Sequence, residues 1–378
     1  MIVPDYYYVI VGGGLAGLQL ALRLQEDLFF KGKKIAIIDP SDKAENDKTW
    51  CFWEKGSGDW DALIHQKWSK ARFISENVQK KLDLQPYNYK MLRSLDFYKD
   101  ASEKLEKTSE IYFITDEILK IDPVTRTAIG KNNTYTATHF FDSRPPQNLK
   151  ISNKINLIFQ HFKGWSIKTE DAFFEPSEFT MMDYRIRHED STSFIYVLPI
   201  TATKALVEFT FFTPFISEKD IYDEYLEKYI SEILKIKKYQ VEETEYGVIP
   251  MTDYPFQKDH SKHVTKIGTA GGWVKASSGY SFKNTEKKTK QIIENIKKGV
   301  NLTTDLYDKK FQFYDKIFLD VLSKRNDLGA QLFEKFYTKN SIQEIFRFLD
   351  EETGLSEDIK IMFSLYHPQF VKSFFNKL

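Results

Sequence analysis

Three features of this 378-residue chain predict a mixed α/β fold. It opens with a strand, a glycine turn and a helix, the signature of a Rossmann-type dinucleotide-binding unit. Strand-like runs fill its middle, and helical spacing dominates after about residue 290. Together they predict a dinucleotide-binding domain interrupted by a β-sheet domain and closed by a helical C-terminal region. At roughly 150 residues per domain, the length suits about two domains.

The opening unit is the clearest. Tyr6 to Val11 is an aromatic and β-branched run ended by Gly12-Gly13-Gly14, and the stretch after it places Leu18, Ala21, Leu22 and Leu24 at helical spacing. Lys34 to Ile38 forms a second buried-type strand that Asp39 terminates. Gly12-Gly13-Gly14-Leu15-Ala16-Gly17 matches G-x-G-x-x-G in the setting that gives the motif meaning: strand before, helix after, acid closing the next strand. Gly12 permits the tight turn, Gly14 lets backbone N–H groups approach a pyrophosphate, and Gly17 lets the helix pack on the strand. Asp39 would accept from ribose hydroxyls, lying beyond the usual interval of ~20 residues because of the extra residues around Phe29-Phe30-Lys31-Gly32. The competing reading is a glycine turn that merely packs.

From Pro40 to about Asp61 the chain is polar and loop-like, yet it carries Trp50, Phe52, Trp53 and Trp60. Short strands around one helix, near Ser94 to Glu106, are predicted from about Arg72 to Asp142. A strand-rich middle runs from about Ile155 to Val248, with Ser193 to Pro199 and Ala205 to Phe212 its best strands and an amphipathic helix at about Glu218 to Lys235. Thr265 to Gly272 is a short strand entering a glycine turn, and helices follow. The expected division is a discontinuous cofactor domain (1–75, 107–150, 245–290), a substrate-binding sheet domain (76–106, 151–244) and a helical region (291–378).

The glycine motif serves FAD and NAD alike. Flavoproteins of this build return late in the chain with a strand and a glycine-rich turn. Ile267-Gly268-Thr269-Ala270-Gly271-Gly272, then Ser277-Ser278-Gly279-Tyr280, fits that return, with Gly268, Gly271 and Gly272 as contacts. Phe141-Asp142-Ser143-Arg144 is the middle signature, with Asp142 the contact, and Thr269 stands where many such proteins have Asp. Order and spacing together favour FAD.

Composition narrows the partners. With 54 Lys+Arg against 54 Asp+Glu the net charge is zero, which argues against nucleic acid. The single cysteine, Cys51, rules out a disulfide framework and fits a reducing compartment. The seven His residues form no ligand constellation, so no metal is expected. Neither a leader nor an uncharged apolar run of ~18 residues is present, so a cytoplasmic protein, at most peripheral to the membrane, is expected. Aromatics are the outlier, with 31 Phe, 21 Tyr and 6 Trp; they suit either an aromatic core or a large apolar ligand.

Six short motifs in series resemble the bacterial lycopene cyclases over about Asp5 to Phe282. They are Asp47-Lys48-Thr49-Trp50-Cys51-Phe52-Trp53, Met182-Asp183-Tyr184-Arg185, Tyr196-Val197-Leu198-Pro199, Ala205-Leu206-Val207-Glu208-Phe209-Thr210, Gly247-Val248-Ile249-Pro250-Met251 and Ser278-Gly279-Tyr280-Ser281-Phe282. Two departures stand out: Phe209 sits where members often have an acid, and Ala276-Ser277-Ser278 replaces a Pro-Thr-Thr-like stretch. The resemblance implies a lycopene beta-cyclase of carotenoid biosynthesis. It would close the ψ ends of lycopene and other ψ-end carotenoids into β-ionone rings, through gamma-carotene to beta-carotene, using reduced FAD without net redox and NAD(P)H only as reductant.

Such chemistry needs a carboxylic acid kept protonated by burial, to protonate an unactivated C=C bond. Glu208 is the candidate, on a strand face shared with Leu206 and Thr210; periodicity alone equally allows a solvated acid on the outer face. Asp183 is the second candidate, as base or partner, or else the acid of a structural ion pair with Arg185. Trp50, Phe52, Trp53 and Tyr280 are the expected substrate walls, whose ring faces attract cations, although each could simply be core. An anionic reduced flavin would stabilise the developing positive charge. A flavin monooxygenase, a prenyl-chain reductase and a non-catalytic carotenoid-binding flavoprotein are the alternatives. Phe370, Phe374 and Phe375, interleaved with Lys372 and Lys377, could rest on a membrane or pack as a tail.

Overall fold

The computed structural model describes residues 4–146, 149 and 155–377. Residues 1–3, part of the stretch read for a leader, and residues 147, 148, 150–154 and 378, at expected domain edges, lie outside them. The opening unit is β1 (Tyr6–Val11), α1 (Leu15–Glu26) and β2 (Ile35–Asp39), with β1 and β2 parallel. Their near-continuous apolar runs are buried on both faces, as parallel strands require.

Residues 40–93 are strand-rich: the stretch predicted as loop, from Pro40 to about Asp61, holds a strand, and short strands occur where they were predicted, from about Arg72. These residues form β3 (Thr49–Lys55), β4 (Ile64–Trp68), β5 (Lys70–Ile74), β6 (Gln79–Asp83) and β7 (Tyr87–Arg93), and β3, β7 and β4 make an antiparallel three-stranded sheet. The polar flanks concealed this, since the strand is carried by its buried aromatics. Phe52 stacks on Phe282 (4.3 Å between centroids, 5° between planes), while Trp53 stacks on Phe346 (4.4 Å, 2°). Each such pair contributes ~0.5–1.5 kcal/mol beyond its area.

Next, α2 (Ser94–Leu105) packs on α1 and returns the chain to the first sheet through β8 (Ile111–Thr115), β9 (Ile118–Asp122), β10 (Thr127–Gly130) and β11 (Thr134–Asp142). The middle supplies β12 (Leu157–Thr169), β13 (Glu178–Asp183), β14 (Ser193–Thr201), β15 (Lys204–Thr213), α3 (Lys219–Lys228) and β16 (Tyr239–Thr252). Then β17 (Val264–Lys266) pairs in parallel with β11. The first sheet has the order β8-β2-β1-β11-β10-β9 with β17 beside β11; the large sheet has the order β16-β12-β15-β14-β13-β5-β6. The helical region is α4 (Phe282–Lys298), α5 (Lys309–Lys324), α6 (Gly329–Lys339), α7 (Ile342–Leu349), α8 (Leu355–Ser364) and α9 (Pro368–Lys377).

Strand pairing draws the domain edges differently from residues 75 and 245. β5, inside the expected cofactor segment, pairs with β13 and β6 of the large sheet, and β16 runs along β12 through to Thr252. α2, inside the expected substrate segment, lies on α1. Both edges are fixed by backbone hydrogen bonding and helix packing, which residue types alone do not reveal.

The two faces of the large sheet have different covers. Val207, Phe209 and Phe211 of β15 pack with Tyr222 and Leu226 of α3, while α5 crosses β12, β15 and β16 on the other side. Lys275, in the loop before α4, ties this helical layer down: its buried Nζ lies 2.9 Å from both Asp315 and Glu351. Lys275→Ala strands two carboxylates and is expected to lower the unfolding free energy by about 3 kcal/mol, measured from the denaturant midpoint at unchanged slope.

Candidate active site

A cleft of about 790 Å³ starts at the C-terminal ends of β1 and β11 and runs over the large sheet. Strand order reverses there, the position at which open α/β sheets bind ligands. Gly12 has φ +104°, which other residues rarely adopt, and a Cβ on Gly17 would lie 2.0 Å from the Gly12 carbonyl oxygen, so α1 presses directly on the turn. No side chain caps α1 at Gly14, and a Cβ there would meet nothing within 4 Å. The helix therefore presents its N–H groups to open space, an anion site in waiting. Asp39 accepts from Gly13 N (2.7 Å) and Ser41 N (2.8 Å), which fixes its carboxylate at the rim.

Gly12, Gly14, Gly17, Asp39 and Gly268 all line this end. Gly271 and Gly272 do not: they form the turn after β17, where the Tyr307 hydroxyl donates to the Gly271 carbonyl (2.9 Å). Asp142 is also drawn away. Its buried carboxylate is held by Arg144 (Nε, 2.8 Å) and Lys266 (Nζ, 2.7 Å), joining β11 to β17, and the neighbouring Ser143 lines the cleft instead. Trp273 lines it too, and its buried indole N–H has no hydrogen-bond partner among the described residues. An open helix terminus, a rim carboxylate and a spare donor fit a dinucleotide cofactor.

The other end of the cleft is acidic and aromatic. Leu206 and Glu208 of β15, Gln160 and Phe162 of β12, and Glu245 and Gly247 of β16 form its floor. Glu208 sits on the face opposite α3, with Leu206 and Thr210. Gly164 of β12 pairs in register with Glu208 on one side and Glu245 on the other. Without a side chain between them, the two carboxyls come within hydrogen-bonding reach. The Thr210 hydroxyl donates to Glu208 Oε1 (2.6 Å) and the Thr49 hydroxyl to Glu245 Oε2 (2.7 Å).

Burial and then the Glu245 charge push the Glu208 carboxyl well above the usual range. Glu245 is raised as well, by burial, with the Thr49 and Glu208 hydrogen bonds acting against it. Two adjacent carboxyls, partly withdrawn from bulk water, favour holding one proton between them.

Of the expected walls, Trp50 and Tyr280 line the cleft. Phe52 and Trp53 do not, being used in the stacks on Phe282 and Phe346; Trp53 Nε1 also donates to Asp350 (2.6 Å). Asp183 is fully buried elsewhere, bound to Arg185 (Nε, 3.0 Å) and accepting from the Tyr229 hydroxyl (2.8 Å). Its geometry is that of a structural ion pair. Glu245, Tyr196 and Cys51 line the cleft without having been singled out. Gly164 was the available signal for Glu245, because glycine inside a strand marks a close approach.

A second cavity of about 110 Å³ adjoins the first, sharing Tyr196, Ser278 and Tyr280, and is walled mainly by apolar residues of α5 to α9, among them Phe318, Phe336 and Leu365. A family profile described as "Lycopene cyclase protein" matches residues 8–377. The chain belongs to the lycopene cyclase family. It is 24% identical over 214 residues to the lycopene beta-cyclase of Pantoea ananas, a stretch covering 55% of this chain and 52% of that relative, about half its length.

Among solved structures, a geranylgeranyl bacteriochlorophyll reductase-like protein from Thermoplasma acidophilum has TM-score 0.61 at 14% identity, with 99% of each chain covered. A probable FAD-dependent monooxygenase from Pseudomonas aeruginosa has TM-score 0.61 at 10% identity, covering 87% of this chain and 99% of its own. A flavin-dependent brominase has TM-score 0.57 at 14% identity, covering 95% and 93%. These likenesses establish the Rossmann-type fold of FAD-dependent enzymes for this family member.

Because Asp183 serves Arg185 and Tyr229, Asp183→Asn is expected to lower the unfolding free energy by about 3 kcal/mol. Flavin affinity, followed by fluorescence titration, should stay within about twofold, as expected for a site distant from the change.

Proposed function

We propose that this family member binds FAD at the glycine end of the cleft and closes the ψ ends of lycopene into β-ionone rings by acid–base chemistry without net redox. The observation that carries the reading is Glu208, a carboxyl raised by burial on the floor of the cleft that begins at the dinucleotide cradle. A carboxylic acid that stays neutral near pH 7 can protonate an alkene. The resulting tertiary cation is attacked by the neighbouring double bond, and loss of a proton ends the reaction with mass unchanged. Trp50, Tyr196 and Tyr280 offer ring faces to the cation and help exclude water that would quench it.

Gly12, Gly14 and the α1 terminus would hold the pyrophosphate, and Asp39 the ribose. When bound and reduced there, FAD would supply negative charge to the site. NAD(P)H enters this reading only as the source of that reduction. The remaining polyene suits the second, apolar cavity under the helical layer, whose wall includes Phe370. Met362, Phe363 (74% exposed), Tyr366 and Phe375 (70% exposed) lie around that cavity's helices, a surface suited to resting on the cytoplasmic face of a bilayer. Among the described residues, no helix is long and apolar enough to cross one.

Anaerobic incubation with liposomal lycopene, FAD and a chemical reductant is expected to yield beta-carotene of unchanged mass. Unchanged lycopene, a hydrogenated product or a requirement for O₂ would each overturn the reading. Glu208→Gln should lower kcat by about 10³-fold or more, the scale of a lost general acid, with FAD still bound. For the membrane surface, Phe363→Ser combined with Phe375→Ser should reduce co-sedimentation with vesicles at any salt concentration, because the attraction is apolar; undiminished sedimentation would remove this surface.

A further inference from the structure

The cyclisation needs a proton acceptor as well as a donor, and the cleft contains few candidates. No histidine is among its lining residues. Asp39 is tied to the backbone of Gly13 and Ser41, and Asp47 accepts from the Tyr98 hydroxyl and pairs with Lys48, both at the dinucleotide end. Glu245 is different. It meets Glu208 over the backbone of Gly164, where a Cβ would lie 3.0 Å from Glu245 Cγ and 3.2 Å from Glu245 Oε1. Thr49 occupies its other oxygen and Thr210 occupies Glu208 Oε1. The two carboxyls also lie within hydrogen-bonding reach of one another.

We propose that Glu245 is the proton acceptor of the reaction, paired with Glu208 so that the two carboxyls hold one proton between them. This rests on the cyclase reading and assigns the base that it leaves open. In the resting site Glu208 carries the proton, because the burial of Glu208 and the charge of Glu245 both favour its neutral form. Thr49 donates to Glu245, and Arg93 lies beyond it, both favouring the carboxylate. The Glu208 O–H bond breaks as a C–H bond forms on the substrate alkene. The neighbouring alkene's electron pair forms the ring C–C bond, and a C–H bond next to the new cationic centre then breaks. Its electrons become the ring double bond and its proton goes to Glu245. Passing that proton across the carboxyl contact to Glu208 restores the starting state, with no electron gained or lost and no proton taken from solvent.

The groups facing the pair are Cys51 on β3, Tyr196 on β14 and Tyr280 ahead of α4, with Glu243 and Arg93 beyond Glu245. Burial raises the Cys51 thiol and both phenols, so they stay neutral while the pair titrates. Glu243 and Arg93 are paired with each other at 3.0 Å. A pH dependence above neutrality therefore belongs to the carboxyl pair.

The test is the kcat–pH profile of the FAD-loaded, reduced enzyme with liposomal lycopene. Wild-type kcat should fall at alkaline pH as the shared proton leaves. Glu245→Gln removes both the proton acceptor and the charge that holds the proton on Glu208, so kcat should fall by about 100-fold or more even at its optimum, and the alkaline limb of the residual activity should move to lower pH by at least about one unit. Glu245→Asp should restore part of kcat. An undiminished kcat in Glu245→Gln would overturn the acceptor role, and a Glu245→Gln limb at the wild-type position would overturn the pairing. Infrared difference titration of the FAD-loaded protein without substrate separates this from the cyclase reading. The protonated carboxyl band lost in Glu208→Gln should titrate at lower pH in Glu245→Gln. That result with no ring formed by wild type would retain the pair and reject lycopene cyclisation, while an unmoved band would reject the pair.

Discussion

The approach of Glu208 to Glu245 is the interaction around which the site is organised, and strand register produces it. In an antiparallel sheet, residues directly opposite on neighbouring strands share a face. Placing β12 between β15 and β16 would ordinarily put a side chain between the two glutamates. Gly164 removes that side chain at the one position paired with both. A one-residue slip of β15 would turn Glu208 towards Tyr222 and Leu226 of α3 and carry Val207 and Phe209 out of their packing on that helix. The tight packing of that opposite face therefore protects the chemistry by making the slip costly.

The cradle depends on a second close approach, that of Gly17 to the Gly12 carbonyl, and the two approaches act at opposite ends of one cleft. Local sequence revealed the first end because a strand, a glycine turn and a helix lie consecutively in the chain. It revealed the second only in part. Glu208 could be singled out by its apolar strand, but Glu245 sits in Glu242-Glu243-Thr244-Glu245, which reads as solvated, and its environment comes from Thr49 and Glu208, far away in sequence. Asp183 shows the converse. Apolar neighbours made it a candidate base or partner, with an ion pair to Arg185 as the other reading, and its carboxylate is engaged by Arg185 and Tyr229.

The aromatic tryptophans between residues 50 and 60 were legible as residues needing something to pack on, but not as a strand. What they pack on lies far downstream: Phe282 for Phe52 and Phe346 for Trp53. Trp50 and Cys51, at the start of β3, line the cleft, while Phe52 and Trp53 anchor other layers. A single strand thus divides its aromatics between wall and scaffold, a partition that depends on partners more than two hundred residues away.

The helical region belongs to the site in the same physical sense. Tyr280 lines both cavities, stands edge-on to Trp53 (4.6 Å) and shares a hydroxyl contact with Tyr89 (3.0 Å), so its ring is held from the β3–β7 sheet. The far wall of the smaller cavity comes from α5, α6 and α7, which Lys275 fastens through Asp315 and Glu351. A long apolar ligand spanning both cavities would be gripped by the helical layer at one end while its reacting end met the glutamates. On the proposed cyclase reading, closing one ring would change only that reacting end, and a second ring would require the molecule to withdraw from the helical layer and turn around. On that reading the packing of the C-terminal helices, set well away from the carboxyls, would bear on how far the reaction proceeds.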